Sequence, residues 1–213
     1  MSGRKNVKRG HWQILLAAAL FLLALGLTLY PVVSNWYIGR HQSRIQTEYR
    51  EVLEQTDSAE IESIRESAAA YNKTITPGAA EEAYSQKSIR LAAEDYVNQL
   101  NVSGSGIMGY VEIPKIGVDL PIYHGTGADS LDRGTGHLLG SSLPVGGEST
   151  HTIITGHSGM ASQKMFTDLE QLREGDIFYL HVLDETLAYE VREIHTVLPH
   201  DTTYLGIEPG EDL

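Results

Sequence analysis

The N-terminal part of the chain changes abruptly from basic to apolar. Four basic residues lie within the first nine positions, and residues 14–33 (ILLAAALFLLALGLTLYPVV) contain no charged side chain. A helix rises ~1.5 Å per residue, so this run covers roughly 30 Å, the thickness of a bilayer's hydrocarbon core. The pattern predicts a basic head over 1–13 and a transmembrane helix over 14–33 that contacts the lipid bilayer.

The distribution of charge around this run predicts its orientation. Basic residues precede the run and few follow it, which favours a cytoplasmic N-terminus and an extracellular remainder. We therefore expect a single-pass protein of the cell membrane. A signal peptide cleaved near Ser34 is the alternative, but residues 32–34 (VVS) match a cleavage site poorly.

Beyond the apolar run, the hydrophobic positions follow a helical period. Apolar residues recur at steps of three and four over 45–71, Pro77-Gly78 interrupts them, and the pattern resumes over 80–100. We predict two helices, forming a helical stalk or lid-like region over 34–106 that ends in the flexible joint NVSGSG. A solvated spacer with no specific role is the alternative.

From residue 107 the period changes to that of short strands. Runs rich in β-branched and aromatic residues are bounded by Gly, Pro and Asp. Asp184-Glu185-Thr186 is predicted to join the last two strands as a hairpin, and one short helix is predicted over 162–172. The fold class is mainly β, a closed or nearly closed barrel over 107–213. The predicted strands are 110–113, 120–123, 152–155, 177–182 and 187–197.

Charge and cysteine content exclude several classes of function. The net charge is −12. Residues 1–13 carry four basic and no acidic groups, so the rest carries 12 basic against 28 acidic groups, a net charge of −16. Such a surface repels phosphate backbones, so we predict no nucleic-acid partner. The chain has no cysteine, which excludes disulfides and thiolate metal sites within it.

The candidate chemistry lies in the stretch THTIITGHSG, where an apolar strand presents His157 on a glycine-flanked turn. An imidazole can transfer protons near neutral pH, and the glycines allow close approach of a substrate. A serine nucleophile elbow is disfavoured because Met160 stands where its second glycine is needed. Gly134-Thr135-Gly136 is interpreted as a turn, not a dinucleotide loop, because no βαβ unit surrounds it.

No metal and no cofactor are predicted. The histidines show neither a helical HExxH arrangement nor a suitably spaced acidic partner. A metal-dependent peptidase that uses these histidines therefore ranks last among the hypotheses.

A series of motifs between 107 and 213 resembles the class C sortases, the pilus-assembling sortases of Gram-positive bacteria, in order and spacing. The basic head and the apolar run are also similar to theirs. The motifs are MGYVEIPKI (108–116), LPIYHGT (120–126), GHL (136–138), SLPVGG (142–147), TGH (155–157), FTDL (166–169) and GD through HVLDETLAY (175–189).

The resemblance implies an eight-stranded sortase barrel and a cysteine transpeptidase. A thiolate would attack the Thr-Gly bond of an LPXTG-like sorting signal on a pilin or surface protein, and an amine would resolve the thioacyl-enzyme. His157 matches the catalytic histidine of the family. Thr155 and Gly156 are the candidate substrate-binding residues. The process would be pilin polymerisation or attachment to the cell wall.

Three features of the family pattern are not found in these residues. A cysteine closing a Thr-Leu-x-Thr-Cys strand and a following arginine are both expected beyond Leu213, and Arg133, Arg173 and Arg192 do not match the position of that arginine. We therefore expect a C-terminally truncated sortase that lacks its last strands, is inactive as it stands and is prone to aggregate. A non-catalytic, membrane-tethered pilin-binding module is the alternative. No Asp-Pro-aromatic lid motif occurs between Ser34 and Gly106.

Overall fold

The structure is a computed structural model that describes residues 4–85, 94–159 and 164–213. The chain divides into two compact units. One holds the described residues up to Arg40, and the other holds the described residues from His41 onward.

The first unit is helical. Its residues belong to helix α1 (Arg4–Gln55), which is rich in the good helix formers Leu, Ala, Arg and Gln and contains one proline, Pro31. The segment Trp12–Ser34 is long and apolar enough to cross a membrane, and none of it is buried within the protein. This segment contains the predicted span 14–33 and is compatible with a single membrane anchor.

Among the described residues, the second unit contains the end of α1 and four further α-helices. Asp57 caps α2, because its side chain accepts the backbone N–H of Ala59 at 2.8 Å. The prediction of a single helix across 45–71 was therefore wrong, because α1 ends at Gln55 and a separate helix, α2, begins at Ser58. The further helices are α2 (Ser58–Asn72), α3 (Ala79–Ser85), α4 (Glu94–Asn98) and α5 (Ala128–Leu131). The middle of the helix predicted over 80–100 lies outside the described residues.

Six strands form one curled sheet with the order β4-β3-β2-β1-β5-β6. All neighbouring pairs are antiparallel except β2 and β3, which are parallel. The mainly β fold class is confirmed, with a half-barrel of six strands in these residues. The strands are β1 (Ile107–Ile113), β2 (Val118–His124), β3 (Thr135–His137), β4 (Ile154–Thr155), β5 (Ile177–Val182) and β6 (Glu185–Glu190).

Strand β1 is buried on both faces. Val111 belongs to a core cluster that helices α2 and α4 share with the sheet, whereas Tyr110 packs in a second cluster with Tyr49 of α1. The helical region is therefore packed on the domain. The larger cluster includes Ile61, Ala68, Tyr96, Leu100, Met108, Val111, Leu120, Ile122, Leu143, Phe166 and Leu180.

Three local predictions were wrong. Residues 135–137 form strand β3, not only a turn, because they pair with both β2 and β4. Strand β6 ends at Glu190, and the apolar residues Ile194 and Val197 that continue the pattern are exposed. The described part of the helix predicted over 162–172 is a series of turns followed by one 3-10 turn, Leu169–Gln171.

Candidate active site

The short strand β4 carries the candidate histidine. Its two residues pair with β3, Thr155 with Gly136 and Ile154 with His137. His157 lies two residues beyond the strand, with 40% of its side chain exposed. Since the strand is anchored in the sheet and the imidazole is half exposed, His157 can exchange protons with a bound molecule.

The turn around His157 is held by the segment that follows it. The backbone N–H of Phe166 donates to the carbonyl oxygen of His157 at 3.0 Å. The N–H of Gly159 donates to the hydroxyl of Thr167 at 3.0 Å. Gly156 packs directly against the Phe166 ring, so a side chain at position 156 has no room. These contacts fix the backbone on both sides of the imidazole.

A carboxylate faces the imidazole from a distant part of the sequence. Oδ1 of Asp132 lies 3.9 Å from Nε2 of His157, and 65% of the Asp132 side chain is exposed. This distance is too long for a hydrogen bond, so the two groups face each other without a direct bond. Sequence analysis missed Asp132, because no local pattern marks it. It reaches the site because the α5 turn leads into β3, the neighbour of β4.

The last residues of the chain run beside the strand that leads to His157. Thr150 and Asp212 form a parallel β-bridge. The N–H of Leu213 donates to the carbonyl of Thr150 at 3.0 Å, and the N–H of Thr152 donates to the carbonyl of Leu213 at 2.7 Å. The C-terminal backbone is therefore directed toward the same end of the sheet as β4.

An apolar groove lies between β4 on one side and β5 and β6 on the other. Its volume is about 240 Å³. Side chains of β1, β4, β5 and β6 line this groove, next to the turn that carries His157. Its lining includes Val111, Ile154, Phe166, Leu180, Tyr189 and Leu213.

The three arginines considered from the sequence lie in other settings. Arg133 stacks its guanidinium 4.3 Å from the centre of the Tyr123 ring. Arg173 donates to the carbonyls of Glu170 and Leu172. Arg192 forms ion pairs with three carboxylates: Glu193, Glu208 and Glu211. None of these contacts brings a guanidinium to His157.

Several other histidines are held by separate partners. His181 bonds to Glu112 at 2.8 Å, and His151 lies 2.7 Å from the carbonyl of Gly206. Burial lowers the pKa of His137 to about 4. Within the described ranges, no three His, Cys, Asp or Glu side chains gather closely enough to hold a metal ion.

Comparison with known proteins gives consistent results. Residues 111–213 match the sequence model of the Sortase domain family. The chain is 32% identical to sortase D of Bacillus subtilis over 100 residues, 47% of this chain and 48% of that protein. It is 24% identical to sortase A of Streptococcus agalactiae over 200 residues, 92% of this chain and 74% of that protein. The chain thus spans about half the length of the Bacillus relative.

Several solved structures resemble this chain in both fold and sequence. Sortase C of Streptococcus pneumoniae superposes with a TM-score of 0.69 at 43% identity, covering 79% of this chain and 84% of that chain. Sortase C1 of Streptococcus agalactiae superposes with a TM-score of 0.70 at 39% identity, covering 79% of this chain and 86% of that chain. Sortase C-1 of Actinomyces oris superposes with a TM-score of 0.66 at 40% identity, covering 72% of this chain and 85% of that chain. The chain belongs to the sortase family, within which these solved neighbours are class C sortases.

Proposed function

We propose that the complete protein is a membrane-anchored cysteine transpeptidase. It cleaves an LPXTG-like sorting signal on a pilin or surface protein and joins the signal to an amine, in pilin polymerisation or cell-wall attachment. Membership of the sortase family supports a transpeptidase role. The crystal structure of the Streptococcus pneumoniae relative concerns catalysis and pilin substrate specificity, which supports a pilin as the substrate here.

The observation that carries the proposal is the parallel pairing of Thr150 with Asp212. His157 lies seven residues after Thr150, so a backbone continuing in this register would place the residue seven positions after Asp212 opposite His157. We propose that this residue is the nucleophilic cysteine, at the end of the expected Thr-Leu-x-Thr-Cys strand. The thiol and the imidazole would then lie on adjacent strands at one end of the sheet.

His157 would serve both halves of the reaction. The thiolate attacks the carbonyl carbon of the threonine in the Thr-Gly bond, and the C–N bond breaks as protonated His157 gives its proton to the leaving amine. A thioester then joins the acyl group to the enzyme. The acceptor amine attacks this thioester, neutral His157 takes a proton from the amine, and the thiolate leaves.

The neighbours of His157 suit these steps. The Asp132 carboxylate lies 3.9 Å from Nε2, so its negative charge faces the imidazolium that is present before His157 protonates the leaving amine and again after it deprotonates the acceptor amine. Thr155 and Gly156 are partly exposed beside the imidazole, and we propose that they contact the sorting signal.

A polypeptide limited to residues 1–213 contains no cysteine, so we expect it to cleave no sorting-signal peptide. The activity test therefore uses the complete protein and a fluorogenic LPXTG-type peptide. His157→Ala is expected to lower kcat by ~10²–10⁴-fold. The matched control is His181→Gln, which alters another histidine with a carboxylate neighbour and should leave turnover unchanged. Turnover retained by the His157 variant would refute the assigned role.

The anchor is proposed to place the sheet outside the cell. The apolar segment Trp12–Ser34 would cross the bilayer with the basic head in the cytoplasm. The 213-residue chain has no cysteine, so single thiols can be introduced without background. Ser58→Cys should react with a membrane-impermeant maleimide on intact cells, whereas Ser2→Cys should react only after lysis. The reverse pattern would exclude this orientation.

A further inference from the structure

A second histidine, His137, lies beside strand β4 and has no role in the reaction proposed above. It is fully buried on β3, with 0% of its surface exposed, and it pairs with Ile154 of β4. A buried ionisable side chain is costly unless its polar atoms are bonded. Both ring nitrogens of His137 have such partners.

The partners of His137 determine its tautomer. Nε2 lies 2.8 Å from the carbonyl oxygen of Ser142, which can only accept, so Nε2 carries the proton. Nδ1 of the neutral ring is then an acceptor, and the Tyr96 hydroxyl lies 2.9 Å from it. The same hydroxyl lies 3.1 Å from the His137 carbonyl and accepts the N–H of Gly125 at 3.0 Å. A buried hydrogen-bond chain thus runs from α4 through His137 to Ser142.

Ser142 belongs to the loop 138–142, which binds the backbone that leads to His157. The N–H of Ser142 donates to the carbonyl of His151 at 2.8 Å, and the Ser142 hydroxyl accepts the N–H of His151 at 3.0 Å. The hydroxyl of Ser141 accepts the N–H of Ile153 at 3.2 Å and lies 3.2 Å from Nε2 of His137. The two serines therefore fix residues 151–153 from the side of His137.

Strand β4 is short and has only two paired positions with β3. Its register and tilt therefore depend also on the contacts that residues 151–153 make just before it. A small displacement there moves the imidazole of His157, and misplacement of a proton-transfer group by about 1 Å can cost ~10²-fold in rate.

We propose that His137 is a positioning residue for His157. The bond from its Nε2–H to Ser142 holds the loop 138–142, and the two serines of that loop hold the strand from which His157 projects. The proposal rests on the proposed function only in that His157 is the proton-transfer group. The structural link between His137 and residues 151–153 is independent of the reaction.

Two substitutions separate the donor role of His137 from its bulk. His137→Gln keeps an N–H donor near the Nε2 position and so keeps the bond to Ser142. His137→Asn keeps an acceptor near the Nδ1 position, for Tyr96, but loses that donor. His124→Gln is the matched control, because His124 touches the same Tyr96 ring edge-on, 5.2 Å between centroids, but bonds to the carbonyls of Gly106 and Gln99.

The test has a structural arm on the full 213-residue chain in detergent. Amide hydrogen exchange, followed by mass spectrometry, is measured for peptides covering 151–157 and for peptides covering β1 and β5. His137→Asn should speed amide exchange over 151–157 by about tenfold or more. Exchange rates in β1 and β5 should stay near those of the parent protein, because only the local opening of residues 151–157 becomes easier. His137→Gln and His124→Gln should leave exchange over 151–157 near the parent value.

The second arm uses the complete protein. His137→Asn should lower kcat by roughly 10–100-fold with KM nearly unchanged, and His137→Gln should restore most of kcat. Equal losses in the Asn and Gln variants, or exchange that rises uniformly over the sheet, would overturn the positioning role and leave a general structural one. If the parent shows no turnover, the proposed function fails, while the exchange data still decide whether His137 holds residues 151–157.

Discussion

Gly156 lies directly against the ring of Phe166. A Cβ atom on this glycine would be 2.6 Å from Cδ2 of the ring and 2.9 Å from Cε2. The ring is only 8% exposed, so it has little room to move. Gly156 does not adopt a positive φ, which means that packing rather than backbone conformation requires a glycine before His157. The side chain of Phe166 thereby sets the position of the turn.

Gly156→Ala is expected to lower the free energy of unfolding by about 1–3 kcal/mol, because the new methyl group overlaps a buried ring. Adding Phe166→Leu should recover part of this loss, since leucine lacks Cε2 and its two Cδ methyl groups can rotate away from the new methyl group. The control is Gly127→Ala, where nothing lies within 4 Å of the added methyl group, so no steric overlap adds to the ordinary cost of replacing a glycine at a helix N-cap. Urea unfolding followed by circular dichroism measures all three. Equal stability of the two single variants would show that the ring yields freely.

The buried His137 is expected to make the fold sensitive to acid. Burial lowers its pKa from the ordinary 6.5 to about 4. The unfolded chain therefore binds a proton below about pH 6.5, which the native protein takes up only near pH 4. The stability contributed by the neutral ring is fully present above pH 6.5 and is lost as the pH falls toward 4. A pKa difference of this size corresponds to on the order of 3 kcal/mol.

This dependence can be isolated with the His137→Gln variant, which has no proton to bind at this position. The free energy of unfolding of the parent should fall more steeply between pH 7 and pH 4.5 than that of the variant. The other histidines contribute equally to both proteins, so the difference between the two curves reports His137. Parallel curves would mean that His137 is protonated in the native protein as readily as in the unfolded chain.

Tyr49 connects helix α1 to the sheet through its hydroxyl. The hydroxyl donates to the carbonyl of Met108 at 3.1 Å and accepts the N–H of Leu183 at 3.1 Å. Burial raises the pKa of Tyr49 to about 12, so the group stays neutral and able to donate. Tyr49→Phe should cost about 1–3 kcal/mol, because it leaves two buried backbone groups without this partner.

Tyr84→Phe provides the comparison for Tyr49. Tyr84 also donates to a backbone carbonyl, that of Pro199 at 2.9 Å, but 41% of its surface is exposed. Water can replace this bond, so a loss below about 0.5 kcal/mol is expected. Thermal or urea unfolding of the two variants measures the difference. A Tyr49→Phe protein as stable as the Tyr84→Phe protein would show that the contact between α1 and the sheet is not energetically significant.

Local pattern was sufficient to predict most of the sheet but not its turns. The bounds of β5 agree with the prediction, and β5 and β6 form the expected hairpin. The turn, however, is formed by Leu183 and Asp184, with Leu183 at φ 53°. A leucine rarely adopts this left-handed conformation on its own. It does so here because its side chain is buried and its N–H is bonded to Tyr49, which lies 134 residues away.

In the candidate site too, some residues are marked by local sequence signals and others are not. His157 could be found from the sequence, because its strand, its glycines and its resemblance to a family are local signals. Asp132 and His137 could not be given roles from the sequence. Their proximity to the site depends on the parallel pairing of β2 with β3 and on the position of β4 next to β3. Such pairings join residues far apart in sequence, and local periodicity does not encode them.

The most direct test of the central claim is to find where the acyl group becomes attached. The complete protein is incubated with an LPXTG-type peptide, quenched in acid and mapped by mass spectrometry. We predict a thioester on a cysteine seven residues after Asp212, in register with His157, with formation slowed ~10²–10⁴-fold by His157→Ala. An adduct on a different residue, or one that forms at the parent rate in the His157→Ala protein, would contradict the account.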